Sequence, residues 1–330
     1  MQAMTINAFG DPDLFQLSEL PMPVLQPGHV LIEVKATSVN PVDCLLRGMG
    51  PEFAPELPAV LHGDVAGIVK AVAPDVREFS VGDAVYGCAG GVRGTPGGAL
   101  AEYMLADAAL LAPKPKTLSM REAAALPLVG ITAWEGIFER ARVGDGDSIL
   151  VQGGAGGVGL MAVQLARVAG ARVYATASTP QKQALVRELG ADGVIAYRDE
   201  AVESYVARLT GGQGFDVVFD TVGGGNLVRS FAAARLNGRV VTTLALGSFD
   251  LSPVHLKGLS LEVIFMLIPL LHGVNRARYG VILRQLAELV DTGKLRPVLD
   301  SHAFHMSEVA AAHALLESGG ALGKIVLAWD

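Results

Sequence analysis

The chain reads as an α/β protein in two parts. A β-rich first part is joined to a doubly wound parallel sheet, and a short C-terminal segment returns to the first part. Three observations carry this reading. Residues 1–125 hold short apolar runs punctuated by glycine and proline. Beyond Pro127, apolar runs alternate with amphipathic helical stretches, as crossover helices on a parallel sheet require. The apolar run 149–151 leads directly into Gly154-x-Gly156-x-x-Gly159 and a helical pattern. A length of 330 residues suffices for two domains, with boundaries expected at 1–127, 128–271 and 272–330.

In the first part, residues 30–34 alternate apolar and polar and run into 36–39, while 65–69 and 84–86 are short apolar strands. Gly63, Gly67, Gly82 and Gly87 separate them, and Pro21, Pro23 and Pro27 lie near the start, so an irregular β-barrel is expected. Gly130-Ile131-Thr132-Ala133-Trp134 opens a helical stretch. Strands follow at 149–151, 173–177, 193–196, 216–220 and 239–243, with helices near 158–169, 180–189, 199–209 and 226–236. The most apolar run, 259–271, is interrupted by Glu262 and Pro269 and falls short of the ~20 residues a membrane helix needs. It is expected to form a buried helix or the apolar wall of a substrate pocket. The last segment reads as a helix near 276–292, a strand opening with Val298, a helix near 307–318 and a strand over Lys324–Ala328.

A strand, a glycine turn and a helix in this order form the dinucleotide-binding fingerprint of a Rossmann sheet. Gly154 permits the tight turn, Gly156 lets the backbone approach a pyrophosphate, and Gly159 lets the helix pack close to the strand. Gly157 and Val158 open the helix, whose free N–H groups and partial positive charge suit phosphate. An Asp or Glu about 20 residues further on would bind the ribose hydroxyl of NAD. Here that position holds Ala177-Ser178-Thr179, with Lys182 shortly after. A hydroxyl and a cation welcome a 2′-phosphate that a carboxylate would repel, so NADPH is the expected cofactor.

Composition narrows the class further. The chain is 51% apolar and 18% charged, with a net charge of -7, so no basic surface for nucleic acid is implied. Two cysteines, Cys44 and Cys88, exclude a disulfide framework and a four-cysteine zinc site. The N-terminal residues lack the basic and apolar regions of a signal peptide. With no membrane span, a cytoplasmic protein is expected, acting on a small molecule.

Several further segments resemble the medium-chain dehydrogenase/reductase superfamily, and more narrowly its zinc-free quinone oxidoreductase (zeta-crystallin-like) branch. They are Ser38-Val39-Asn40-Pro41-Val42-Asp43, Gly63-Asp64-Val65-Ala66-Gly67-Ile68-Val69, Val81-Gly82-Asp83-Ala84-Val85-Tyr86-Gly87, the Gly130 and Gly154 stretches, Asp216-Val217-Val218-Phe219-Asp220, and the C-terminal Gly323-Lys324-Ile325-Val326-Leu327. The resemblance implies a GroES-like β-barrel catalytic domain and a Rossmann cofactor domain with a cleft between them. It also implies assembly as a homodimer or homotetramer through the Rossmann sheet.

Zinc-using relatives place cysteine where Asn40 stands and His-Glu where Gly63-Asp64 stand. Neither Asn40 nor Gly63 serves as a zinc ligand, and His62 is one residue out of register, so no metal is expected. His302 and His305 form an H-x-x-H without a third ligand. Lacking a Lewis acid, the chemistry points to activated carbonyls or conjugated C=C bonds rather than alcohols. By the resemblance, Asn40 and Asp43 lie near the nicotinamide, where they bond a substrate oxygen or orient the ribose; otherwise the segment is a turn with capping side chains. Thr132 is expected near the nicotinamide or phosphates, and Ser178, Lys182 and Tyr197 around the 2′-phosphate and adenosine ribose. Lys324 is expected at a cofactor phosphate, and the stretch from Leu244 to Gly247 at the ligand-binding edge of the sheet. Relatives often carry tyrosine at Leu45, so the proton source stays open among water, His62, Cys44 and Tyr86. Two rival readings remain: a reductase of enoyl thioesters, and a non-catalytic NADPH-binding, crystallin-like protein.

Overall fold

The computed structural model describes residues 1–329 and divides into two compact units. One comprises Met1–Leu128 and the segment from Leu267 onward; the other is Val129–Met266.

The first unit begins with a hairpin that the sequence reading did not anticipate, β1 (Gln2–Thr5) against β2 (Gln16–Glu19). Strand β3 (His29–Ser38) alternates as its sequence demands, burying Val30, Ile32, Val34 and Ala36. A short helix α1 (Pro41–Met49) follows, started by proline in its first turn and ended by Gly50 at φ 54. Strands β4 (Asp64–Val72), β5 (Ala84–Cys88), β6 (Tyr103–Asp107) and β7 (Leu111–Pro113) and helix α2 (Met120–Ala124) complete this stretch.

Helix α3 (Pro127–Trp134) precedes a π-helical turn, Glu135–Arg140. In the second unit the strands are β8 (Ser148–Gln152), β9 (Arg172–Thr176), β10 (Gly193–Ile195), β11 (Phe215–Asp220), β12 (Ala234–Thr242) and β13 (Ser260–Val263). The intervening helices are α4 (Gly157–Val168), α5 (Pro180–Glu188), α6 (Val202–Thr210), α7 (Asn226–Ala233) and α8 (Ser252–Lys257). All six strands run parallel in the order β10-β9-β8-β11-β12-β13. Every residue of β8 is buried, as befits a central strand covered on both faces. Leu150, Val218 and Val240 from three adjacent strands pack with Phe215, Leu227 and Phe231 in the core.

The sequence expects a helix to 236 and a strand from 239, but α7 stops at Ala233. Ala234 already pairs with Phe215, and the register slips before Val217 pairs with Arg239. Asn237 at φ 56 accommodates that irregularity. The apolar run 259–271 is likewise not one helix. Its first part pairs with β12 as edge strand β13, and Pro269 opens the separate helix α9 (Ile268–His272).

Helix α10 (Arg276–Asp291), strand β14 (Leu299–His305), helix α11 (Val309–Glu317) and strand β15 (Lys324–Ala328) bring the chain back into the first unit. Its main sheet runs β14-β15-β3-β4-β5-β7, with β6 on β3. Strand β15 lies antiparallel to β3, pairing Val326 with Ser38, which sets the start of β15 beside the segment that opens α1. Among the described residues no helix is long and apolar enough to cross a membrane.

Candidate functional site

In the second unit, Gly153 takes φ 70 directly after β8, and Gly154 N donates to Thr176 O at 2.9 Å, tying the turn to the end of β9. Thr176 Oγ1 accepts from Gly153 N, also at 2.9 Å. The tight turn therefore belongs to Gly153, one residue earlier than the spacing rule assigns it. Two of the motif glycines answer to close approach: a Cβ on Gly154 would lie 2.7 Å from Ala175 Cβ, and one on Gly159 only 2.2 Å from Gly153 O. Helix α4 starts at Gly157 after the extended N-cap Gly156, which supplies no side-chain cap to its first N–H groups, among them those of Val158 and Gly159. A glycine-walled helix N-terminus of this form is a cradle for a dinucleotide phosphate.

The other expected cofactor residues lie around this sheet. Ser178 follows β9 by two residues and is half-buried; Thr179 next to it caps α5, its Oγ1 accepting from Lys182 N at 3.3 Å. Tyr197 follows β10 and is exposed, with the Arg198 guanidinium 6.0 Å from its ring. Leu244 and Gly247, the latter at φ 123, are exposed beyond the carboxyl end of β12. The loop after β11 is shaped by a residue the sequence reading did not single out. The buried Asp220 carboxylate accepts from Val222 N and Gly223 N at 2.9 Å each, and from Ser230 Oγ at 2.8 Å. Thr132 is buried on α3.

The first unit gathers Asn40, Asp43 and Lys324 in one buried node. Asn40 precedes α1, and its backbone N–H donates to Asp43 Oδ2 at 2.7 Å, so Asp43 caps its own helix. The Asn40 amide is held at both ends. Its Nδ2 donates to Asp64 Oδ2 at 2.8 Å, and its Oδ1 accepts from Lys324 Nζ at 2.5 Å. Lys324 Nζ also donates to Val39 O at 2.8 Å. Asp64, at the start of β4, further accepts from Ser38 Oγ at 2.6 Å and from Leu128 N at 2.8 Å. The ammonium stands 3.9 Å from the Asp64 carboxylate. Burial and the Asp64 charge push Asp43 up to about 7, while burial pulls Lys324 below the usual lysine range.

A second buried chain runs beside this node. His62 Nε2 and His313 Nε2 are 2.9 Å apart, and Arg47 Nε donates to His313 Nδ1 at 3.3 Å. Arginine only donates, so His313 carries its proton on Nε2 and gives it to His62. His62 then donates from Nδ1 toward Thr37 Oγ1 at 3.3 Å, and Thr37 donates to Asp64 O at 2.6 Å. Burial holds both imidazoles below the ordinary histidine range, His313 at about 3. Among the other candidate proton sources, burial and neighbouring acids raise Cys44 to about 12 although its Sγ lies 3.4 Å from His313 Nδ1. Tyr86 spends its hydroxyl on Leu283 O and is raised by burial.

This donor set does not fit zinc. At Asn40 it offers an amide, two carboxyl groups engaged in hydrogen bonds and an ammonium, where zinc needs about three anionic or imidazole donors and no cation beside them. The two nearby imidazoles are turned toward each other. Among the described residues no group of three or more His, Cys, Asp or Glu side chains is arranged to hold a metal ion. Asp64, Arg47 and His313 are the residues that sequence reasoning left without a role. One signal was present for Asp64: a lone carboxylate opening an otherwise apolar strand calls for a buried partner.

Comparison with known proteins bears on all of this. Residues 26–116 match the alcohol dehydrogenase GroES-like domain family, and residues 189–327 match the family described as zinc-binding dehydrogenase. An alcohol dehydrogenase superfamily protein from Novosphingobium aromaticivorans is 42% identical, with TM-score 0.94 and full coverage of both chains. The 2-methylene-furan-3-one reductase of Solanum lycopersicum is 36% identical, over 99% of this chain and 79% of the relative. The Escherichia coli quinone oxidoreductase, solved in complex with NADPH, is 26% identical with TM-score 0.90, covering 99% of this chain and 100% of that one.

Proposed function

The chain belongs to the medium-chain dehydrogenase/reductase superfamily, and from that premise we propose that it transfers hydride from NADPH to a quinone or an α,β-unsaturated carbonyl without a metal. The observation that carries this reading is the glycine cradle after β8, where a Cβ on Gly159 would meet Gly153 O at 2.2 Å, combined with the absence of a carboxylate after β9. The N–H groups of Gly157, Val158 and Gly159 bind the pyrophosphate, which the Gly154 and Gly156 backbone approaches. The Ser178 hydroxyl and the Lys182 ammonium select the 2′-phosphate, and Tyr197 flanks the adenosine ribose. Thr132, Leu244 and Gly247 border the nicotinamide half. Bound there, the dihydronicotinamide supplies a hydride.

Asn40 and Asp43 serve the reacting end. One Asn40 amide hydrogen is committed to Asp64; the other lies by the Asp43 carboxyl and is the donor that turns to an acceptor oxygen as negative charge builds on it. Hydride transfer to a quinone or enone leaves an oxyanion or enolate that takes its proton from water. The names of the Solanum and Escherichia relatives support this acceptor class, and the ammonium within the Asn40 node supports independence from zinc. The exposed Val263 on unpaired edge strand β13 supports assembly of a homodimer or homotetramer through that edge.

Initial rates of NADPH oxidation against ortho-quinones, para-quinones, enones and simple aldehydes test the acceptor class. Turnover is expected with quinones or enones and not with the aldehydes. Turnover confined to aldehydes, or to alcohols in the reverse direction, would overturn the assignment.

A further inference from the structure

We propose that Lys324 is a positioning residue for Asn40, and not a cofactor-phosphate ligand: its buried ammonium fixes and polarises the Asn40 amide. The inference rests on the hydride-transfer reading only for its kinetic consequence. Its structural content stands on the first unit alone.

Lys324 opens β15 and is separated from Asn40 by 284 positions, yet its Nζ reaches Asn40 Oδ1 at 2.5 Å and Val39 O at 2.8 Å. The backbone dictates this reach. Val39 N donates to Ile325 O at 3.0 Å, and β15 pairs with β3 up to Ser38, so the lysine backbone is anchored beside the Asn40 segment. Charged partners orient the Asn40 side chain: Lys324 on the oxygen and Asp64 on the nitrogen, with the Asp43 carboxyl beside it. An amide flip would aim its NH₂ at the ammonium and its oxygen at the carboxylate, turning two charge-assisted hydrogen bonds into two repulsions. The orientation is therefore single-valued. A cation on the amide oxygen also draws electron density from nitrogen, which strengthens the remaining Nδ2–H as a donor in a site shielded from water.

Asp64 and Ser38 back this up from the other side. The Asp64 carboxylate is itself held by Ser38 Oγ and Leu128 N. Gly63, just before it, leaves no room for a side chain, because a Cβ there would meet Cys88 Sγ at 2.9 Å and Gly90 O at 3.0 Å. An ammonium engaged with a carbonyl and an amide oxygen, 3.9 Å from a carboxylate, has its charge satisfied within the unit.

The test compares wild type with Lys324→Met and Lys324→Arg, using two readouts. The first is kinetic. Lys324→Met is expected to lower kcat for the quinone or enone by roughly 10- to 100-fold while leaving KM for NADPH within about twofold, and Lys324→Arg to recover part of kcat. A rise in the NADPH KM with kcat retained, and no such rise for NADH, would overturn the proposal in favour of a phosphate contact. The second readout is independent of catalysis: hydrogen exchange of the Asn40 side-chain amide, identified by the signal that Asn40→Asp removes. That amide is expected to be protected in wild type and Lys324→Arg and to exchange freely in folded Lys324→Met. Equal protection in wild type and Lys324→Met would overturn the positioning role. A wild-type enzyme inactive on every acceptor would count against the hydride-transfer reading alone.

Discussion

In the proposed cofactor site, Ser178 is the side chain that selects between two cofactors. It follows β9 by two residues, in the place where a carboxylate would bind a ribose hydroxyl, and it is only half-buried. A carboxylate there would face the 2′-phosphate of NADPH as a like charge. The variant Ser178→Glu is expected to lose about 10- to 100-fold in kcat/KM for NADPH and to gain for NADH, measured at fixed acceptor concentration. An unchanged NADPH:NADH ratio would remove Ser178 from the cofactor site. At this scale the sequence was legible wherever a residue acts through its own backbone or its near neighbours. The Gly159 contact and the Asp43 helix cap are of that kind. It was silent on Lys324 to Asn40 and on Arg47 to His313, because partners more than 250 positions apart carry no mark of each other.

Helix α11 meets the segment just before β4 through the His313–His62 pair, and this makes their contact sensitive to acid. His62 holds φ 70, a left-handed conformation that costs a non-glycine residue about 1 kcal/mol or more. Its ring bonds offset that strain only while both imidazoles are neutral. Protonating His62 would set two N–H donors against each other 2.9 Å apart, and protonating His313 would set its Nδ1–H against the Arg47 Nε–H 3.3 Å away. Both folded-state values lie below the ordinary 6.5, so the contribution is complete above pH 6.5 and is lost as pH falls, the His313 share toward about 3. Each histidine contributes a slope of about 1.4 kcal/mol per pH unit in that window. Asp43, raised to about 7, acts in the opposite sense: its share is present below its ordinary 3.8 and fades as pH rises through 7. A comparison of wild type with His313→Gln cancels the Asp43 share. Urea unfolding at stepped pH is expected to give the variant a slope shallower by about one proton between pH 6.5 and 4. Identical slopes would mean that the pair does not carry the acid sensitivity. The strands on either side of this contact were readable from alternation. The contact itself was hidden, since His62 and His313 lie 251 positions apart.

At the scale of the whole chain, the parallel sheet was legible because its signals are local and repeat. Each strand is a short buried run, and each helix returns with an apolar stripe. The C-terminal segment is too short for a domain of its own, and from Leu267 onward it groups with the first unit. The elements that departed from expectation are those decided by pairing. Ala234 joined a strand because Phe215 was there to pair with it, and residues 260–263 became an edge strand through β12. Both units bear on one central claim, that NADPH drives reduction of a conjugated acceptor with no metal. The most direct measurement is the initial rate of NADPH oxidation with a quinone or enone after exhaustive dialysis against chelator, with NADH run in parallel. An undiminished rate and a higher kcat/KM for NADPH than for NADH are expected. Loss of turnover that added zinc restores, or a preference for NADH, would contradict the claim.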